Sequence, residues 1–277
     1  MKGNTKWLIN DIINIHHFKK FDHLYKPILQ QPSLNPDYLP NGDHLLFFNP
    51  GYNDLNSDGY FCYQTPSSLL KDDSLKFKRR LWAQGSMAFY QPIQFNQEYY
   101  CQEKIKFIKQ VNGSHYVCIE RLIAKSGHEP NTDNLHLKEL RTLAYTNSHP
   151  VTPVVEVPEN VSTIGEFTIS ELDIVRYGQL SSNPHRIHWD RGYCQDIEGY
   201  TDIIAQGPFL VQIIMKSVSS IIGNTNITNI KYKNIKHVYA GTRVEISICK
   251  GFQASKYNVW LTDGSNVYVS MEVTVSP

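Results

Sequence analysis

The stretch Ser181-Ser-Asn-Pro-His-Arg-Ile-His-Trp-Asp190 sets Asn183 and His188 five positions apart in a polar loop that closes a short helix. A histidine so placed is an acid–base candidate. Beside an aromatic such as Trp189, a lone histidine is more often a satisfied structural group. Two features count against that here: the Asn-Pro loop follows a capped helix, and a second helix opens about twenty residues later at Gln206-Gly207-Pro208. A helix start leaves amide groups free, and a glycine there lets a carbonyl approach closely. Enolate chemistry on a thioester needs these two parts, a base near neutral pKa and amide donors where negative charge develops. The spacing alone does not establish it.

The elements that must hold these residues are legible in the second part of the chain. Ser170 before Glu171-Leu-Asp173 has the form of an N-cap with acidic residues in the first turn. Leu172, Ile174 and Val175 continue at helical spacing to Leu180, and the helix should end at the two serines. A longer helix starts after Gly207 with Pro208 in the favoured first position. Its apolar stripe runs through Leu210, Ile214, Val218 and Ile222, with Gly223 as the stop. From Ile227 onward the period changes to two. Val244, Ile246 and Ile248 share a face, and strands at Tyr257–Leu261 and Val267–Val275 are joined through Asp263-Gly264, a tight hairpin signal.

A helix followed by an antiparallel meander predicts a hot-dog arrangement, in which a sheet rolls round one apolar helix. The first part has matching strand material at Tyr99–Lys109, a Val111-Asn-Gly-Ser114 turn, His115–Ala124 and Leu137–Tyr145, without an obvious central helix. The expectation is an α+β double hot-dog, two antiparallel sheets each wrapped round a central helix, with the N-terminal repeat degenerate. The proline-rich run His149–Asn160 reads as a linker, giving a first repeat over 1–148 and a second over 161–277.

Composition excludes several classes. The chain has 277 residues, 41% hydrophobic and 19% charged, with net charge +1, which asks for neither nucleic acid nor an anionic membrane as main partner. The longest apolar run, Phe209–Ile222, is broken by Gln212, Lys216 and serines and falls short of a membrane span. Five cysteines (Cys62, Cys101, Cys118, Cys194, Cys249) without C-x-x-C spacing argue against a disulfide scaffold or a zinc site. The N-terminal segment has Lys2, Lys6, Lys19 and Lys20, with Leu8, Ile12 and Ile15 at helical spacing, but also Asp11, Asp22 and no arginine. It reads as an amphipathic first helix rather than a strong mitochondrial presequence.

The run from Tyr177 through Asp190, followed by Tyr193, Gly199-Tyr200 and Ala205-Gln-Gly-Pro208, resembles the hydratase motif of the MaoC-like hot-dog family. Two further motifs narrow the likeness. Leu39-Pro-Asn-Gly-Asp-His44 and Arg79-Arg-Leu-Trp-Ala-Gln-Gly85 resemble those of the fungal mitochondrial hydroxyacyl-thioester dehydratase type 2 branch, so the likeness runs from about residue 39 onward. The resemblance implies removal of water from a (3R)-3-hydroxyacyl thioester to give the trans-2-enoyl product, in mitochondrial type II fatty acid synthesis, with the acyl group on acyl carrier protein. It implies no metal and no redox cofactor. A coenzyme A-dependent (R)-specific enoyl hydratase and a thioester-binding protein without turnover remain as alternatives, and a monomer or a homodimer is compatible with a double unit.

By the same resemblance His188 is the proton acceptor and Gly207, with Pro208 beside it, carries the amide that polarises the thioester carbonyl. The general hydratase pattern has an aspartate where this chain has Asn183, an asparagine at His185, and commonly a histidine at Gln206. An amide can hold a water or the departing hydroxyl but cannot exchange a proton as a carboxylate does. Either His188 serves as base and acid in turn, or a carboxylate such as Asp190, Asp196 or Glu198 takes the missing role, or turnover is lost. Arg186, between the histidines, suits a phosphate or a structural ion pair. Arg79 and Arg80, near Lys76 and Lys78, form a basic cluster that reads as a solvated face or a substrate-binding contact for an acidic carrier. Trp82 and Gly85 are expected where the two halves meet.

Overall fold

The computed structural model describes residues 6–30, 36–49, 54–127, 129–131, 133–148 and 155–276. The first six residues of the expected linker, 149–154, lie outside the described residues, as does Lys2. The elements in chain order are β1 (Lys6–Ile12), α1 (Ile15–Leu29), β2 (Tyr38–Leu39), α2 (Pro66–Leu70), β3 (Arg79–Phe89), β4 (Ile93–Gln94), β5 (Glu98–Val111), β6 (Ser114–Lys125) and β7 (Leu135–Thr146). After the linker come β8 (Ser162–Thr168), α3 (Glu171–Leu180), α4 (Gly207–Ile222), β9 (Ile227–Asn234), β10 (Arg243–Lys250), β11 (Lys256–Thr262) and β12 (Val267–Val275).

Ten strands form one antiparallel sheet in the order β1-β5-β6-β7-β3-β9-β12-β11-β10-β8. The strands before the linker make one side of it and those after make the other. The two sheets expected from the sequence are thus hydrogen-bonded into one. β3 pairs with β9 from Gln84 opposite Lys233 to Ala88 opposite Asn229, which satisfies backbone groups that two separate sheets would leave open at their edges. Gly85 lies at this seam because the Tyr232 hydroxyl and the Leu140 carbonyl fill the space a Cβ would need, and Trp82 packs on Tyr232 with ring centroids 4.7 Å apart.

The N-terminal segment corrects the sequence expectation. Lys6–Ile12 is a strand pairing with β5, in which Ile9 is buried while Leu8 and Ile12 are 63% and 57% exposed. The helical spacing of Leu8, Ile12 and Ile15 was a coincidence of a strand running into a helix. The helix itself, α1, starts after the Asn14 cap and buries Phe18, Phe21, Leu24, Tyr25 and Ile28, supplying the helix the first half had not disclosed. In α3 the cap is as expected, with Ser170 and Asp173 bonded reciprocally, but Ile174 and Tyr177 face inward and Leu172 outward.

α4 is buried almost all round from Phe209 to Val218. α1 packs across α3, α4 and β8, with Phe21 edge-on to Tyr177 and Phe209, which stack 4.4 Å apart. A polar seam threads this apolar layer. Tyr177 donates to Gln212, Gln212 donates to Asp43, and Lys216 ion-pairs with Asp43 beneath Phe18, Phe21 and Tyr25. Toward the other end of the first-half strands the short helix α2 and the segment after it lie on the sheet. A segment containing Leu69 and Phe77 packs there on Val117, Ile119 and Tyr145, and between it and the loop after α3 the structure leaves a cavity of about 720 Å³.

Candidate active site

The loop from α3 to α4 is held by its own backbone. Ser182 turns left-handed (φ 50°), the Asn183 amide donates to the Gly178 carbonyl at 2.8 Å, and the Asn183 side-chain oxygen accepts the His185 amide at 3.1 Å. That last bond fixes the Asn183 carboxamide with its NH₂ as the free donor. One tight turn, Arg186–His188, follows, and the Ile204 amide then bonds back to the Ile187 carbonyl at 3.1 Å. His188 completes the closure: its Nδ1 meets the Ile204 carbonyl at 2.7 Å, so Nδ1 carries the hydrogen and Nε2 keeps a lone pair.

His188, Asn183, His185, Gly207 and Pro208 line the same cavity. Gly207 is the first residue of the 16-residue α4, where its amide has no intrahelical partner and the helix dipole favours negative charge. Its lack of a side chain has a reason other than room for a ligand. A Cβ would lie 2.8 Å from the Trp82 ring and 2.9 Å from the Asn234 Nδ2, both from the β3–β9 seam. Asn234 is pinned in turn by donating to the Trp82 carbonyl at 2.7 Å.

The electrostatics depart from expectation. Burial, and then the neighbouring His185 ring, push His188 down to about 3, against the opposing pull of the Ile204 carbonyl. The histidine is therefore a neutral imidazole rather than a group titrating near pH 7. His185 is pushed down to about 4, again chiefly by burial. Its Nε2 faces Asp58 and Glu198, each 3.8 Å away. Glu198 is fully buried, and desolvation with the nearby Asp58 raises its carboxyl to about 7. The other carboxylates considered from sequence lie elsewhere: Asp196 is exposed, and Asp190 is engaged by Arg186 and by the Tyr193 amide.

The structure decides among the readings given to the three arginines. Arg79 and Arg80 are 4% and 8% exposed, not a solvated face: alternation along β3 sends them to opposite faces, and each face is covered there, by residues 147 and 198 over Arg79 and by residues 58 and 61 over Arg80, while Lys76 and Lys78 stay outside. Arg79 donates to the Asn147 and Glu198 carbonyls and is absent from the cavity wall, so it braces the loop rather than meeting a carrier surface. Arg80 does line the cavity, held by the Phe61 carbonyl and by Asp58 at 3.4 Å and lying over the Tyr60 and Tyr145 rings. Arg186 forks onto Asp190 at 2.7 and 3.0 Å and lies over the Tyr193 ring. Its fork is spent on this structural pair, away from the cavity.

Sequence reasoning missed Asp58, Tyr60 and Asn234, which no motif marked, and had Trp82 only as a packing residue. No helix among the described residues is long and apolar enough to cross a membrane, and the described cysteines are all free.

The fold is a hot-dog repeat doubled in one chain, with a histidine and an open helix start sharing one cavity, and comparison with known proteins agrees on that fold. A MaoC-like dehydratase from Phytophthora capsici superposes with a TM-score of 0.69 over 99% of this chain and 96% of its own, at 11% identity. A Mycobacterium tuberculosis protein described as a double hotdog fold gives 0.59 over 99% and 96%, at 8% identity. Residues 42–240 match the family model for hydroxyacyl-thioester dehydratase type 2. The mitochondrial hydroxyacyl-thioester dehydratase type 2 of Saccharomyces cerevisiae is 40% identical over 260 residues, spanning 92% of this chain and 91% of the yeast protein. The chain belongs to the hydroxyacyl-thioester dehydratase type 2 family.

Proposed function

We propose that this chain dehydrates (3R)-3-hydroxyacyl thioesters carried on acyl carrier protein to the trans-2-enoyl thioester, as a hydro-lyase of mitochondrial type II fatty acid synthesis. The observation that carries the reading is that the His188 ring and the Gly207 amide line one cavity. The thioester oxygen accepts the Gly207 N–H at the positive end of α4, which acidifies C2. His188 Nε2 then takes the C2 proton.

A base pushed down to about 3 is weak by itself. The reaction supplies the correction, because the enolate brings a negative charge beside the imidazolium as it forms. At ~4 Å and an effective dielectric constant of ~20 that attraction is roughly 4 kcal/mol, equivalent to about three pKa units. The imidazolium is therefore stabilised only as charge develops, which is the differential binding that catalysis requires. Asn183, with its NH₂ free, holds the C3 hydroxyl. The cavity wall also takes in Lys233, Lys236 and His237, which supports an anionic, phosphate-bearing arm as the thioester handle. We assign the chain as a monomer or homodimer, with one working site per chain.

Purified protein offered trans-2-enoyl or 3-hydroxyacyl thioesters, on carrier protein and on coenzyme A, tests this through the absorbance of the conjugated enoyl thioester. The expected result is turnover favouring the carrier protein, and a loss of at least ~100-fold in kcat for His188→Ala. A preference for coenzyme A would replace the handle. Activity in neither form, or an unimpaired His188→Ala, would remove the mechanism.

A further inference from the structure

We propose that His185, backed by Glu198, is the catalytic group that protonates the departing C3 hydroxyl, taking the role that the carboxylate at the Asn183 position has in the general hydratase pattern. The inference rests on the function proposed above and assigns its missing acid.

The geometry is specific. The His185 ring lines the cavity beside His188, perpendicular to it with ring centroids 5.4 Å apart. Its Nε2 is buried, without a hydrogen bond, between the Glu198 and Asp58 carboxyls at 3.8 Å each. Nδ1 is thus the ring nitrogen left for the cavity. Glu198 has none of its surface exposed, and the Tyr193 hydroxyl is a hydrogen-bond partner of its carboxyl. Burying a carboxyl costs several kcal/mol and one hydroxyl offsets only part of that, so a carboxyl kept in this state, with Oε1 3.8 Å from a cavity-lining imidazole, calls for a role. Arg79 donates to the Glu198 main chain rather than to its carboxyl, and Arg80 turns to Asp58. Asn183 cannot do this work, since an amide exchanges no proton.

The step balances as follows. His188 Nε2 takes the C2 proton, and the C2–H electron pair passes through the enolate into the C2=C3 bond. The C3–O bond breaks with its pair on oxygen, which takes the Nδ1 proton of His185 and leaves as water. His185 Nε2 receives the proton of the Glu198 carboxylic acid, leaving a carboxylate. After the product departs, the Nε2 proton of His185 returns to Glu198 while solvent carries the extra proton of His188 to His185 Nδ1, which restores all three groups. His185 touches the leaving group; Glu198 acts through it as a positioning and proton-holding residue. The elevated carboxyl of Glu198, at about 7, keeps an appreciable acid fraction at neutral pH. The charged and titratable groups facing this pair are Asp58, Arg79, Arg80, Tyr193, Tyr200 and His188.

The test compares a leaving group that needs a proton with one that does not. Wild type, His185→Gln, Glu198→Gln and His188→Ala are assayed on 3-hydroxyacyl and 3-fluoroacyl carrier-protein thioesters, across pH, with thermal melts confirming that each variant folds. His185→Gln should lose at least ~100-fold on the hydroxyl substrate yet stay within a few-fold of wild type in fluoride elimination, whereas His188→Ala loses both. In wild type, kcat for the hydroxyl substrate should fall as pH rises through about 7, the Glu198 carboxyl being the proton source. Glu198→Gln should abolish that limb and leave the fluoride profile unchanged. Equal losses on both substrates for His185→Gln, or no loss on either, overturn the proposal, as does an unaltered pH limb in Glu198→Gln. Wild type inactive on both substrates would instead remove the dehydratase reading, and this proposal with it.

Discussion

Replacing Gly207 by alanine puts one methyl group where two neighbours already stand. Gly207 has no left-handed backbone angle, so alanine is conformationally acceptable there, and in a helix the change would ordinarily gain about 0.4–1 kcal/mol. The contacts reverse the sign. The new Cβ would sit 2.8 Å from Trp82 Cε3 and 2.9 Å from Asn234 Nδ2, well inside the ~3.5–4.0 Å at which carbon atoms rest. Neither neighbour can yield freely: the Trp82 ring is packed on Tyr232 with the Arg141 guanidinium over it, and Asn234 is bonded to the Trp82 carbonyl. The start of α4 must move instead. Overpacking of this kind costs about 1–3 kcal/mol, and a displacement near 1 Å of a group that holds the reacting centre costs about 100-fold in rate.

Gly207→Ala should therefore lower kcat by about 100-fold with a much smaller change in KM, and lower Tm by roughly 2–4 °C per kcal/mol of strain. Steady-state kinetics on an enoyl thioester and a melting curve read both. Adding Trp82→Leu, which vacates the contact, should recover most of the Tm and part of the rate. A Gly207→Ala enzyme with normal kcat and Tm would refute both the packing argument and the place of this amide in the reaction.

Lys216→Met leaves the Asp43 carboxylate buried without its cation and should destabilise by about 3–5 kcal/mol in urea unfolding. Adding Asp43→Asn should return most of that loss. Burial depresses His188 below its unfolded value, so in acid the unfolded chain binds the extra proton. Stability from this group is whole above about pH 6.5 and is lost as pH falls toward its folded value of about 3. Glu198, raised to about 7, works in the opposite sense between its unfolded and folded values. Unfolding curves between pH 6 and 4.5 should accordingly be flatter for His188→Asn by about 1.4 kcal/mol per pH unit, and steeper for Glu198→Gln. Parallel slopes in wild type and His188→Asn would show that the imidazole is already charged in the folded protein.

The loop and the helix that follow one another in the second half were legible because their signals are local. A serine cap, a proline in the first turn and an Asp-Gly hairpin each act over a few residues. β1 was misread because Leu8, Ile12 and Ile15 satisfy helical spacing while belonging to different elements. Arg79 and Arg80 read as surface because a run of cations has no local sign of the partners that bury it, which here are carbonyls and a carboxylate from residues 58, 61, 147 and 198. The same holds for the meeting of Asp58, His185 and Glu198. His185 and Glu198 share the loop after α3 and are both marked by the sequence, but Asp58 meets them only when the segment before α2 folds over that loop, so spacing along the chain cannot reveal the cluster. Likewise the Trp82–Gly207–Asn234 contact exists only because β3 and β9 join.

The edge-to-edge union of the two halves divides labour unequally. On the function proposed above, chemistry comes from the loop and helix start of one half, while Ile119 and Leu143, on β6 and β7 of the other, form wall without touching a proton. Mutations in those two strands can accordingly alter which acyl tails fit while the reacting groups stay put. Descendants of this chain can drift in preference for tail length without passing through an inactive ancestor.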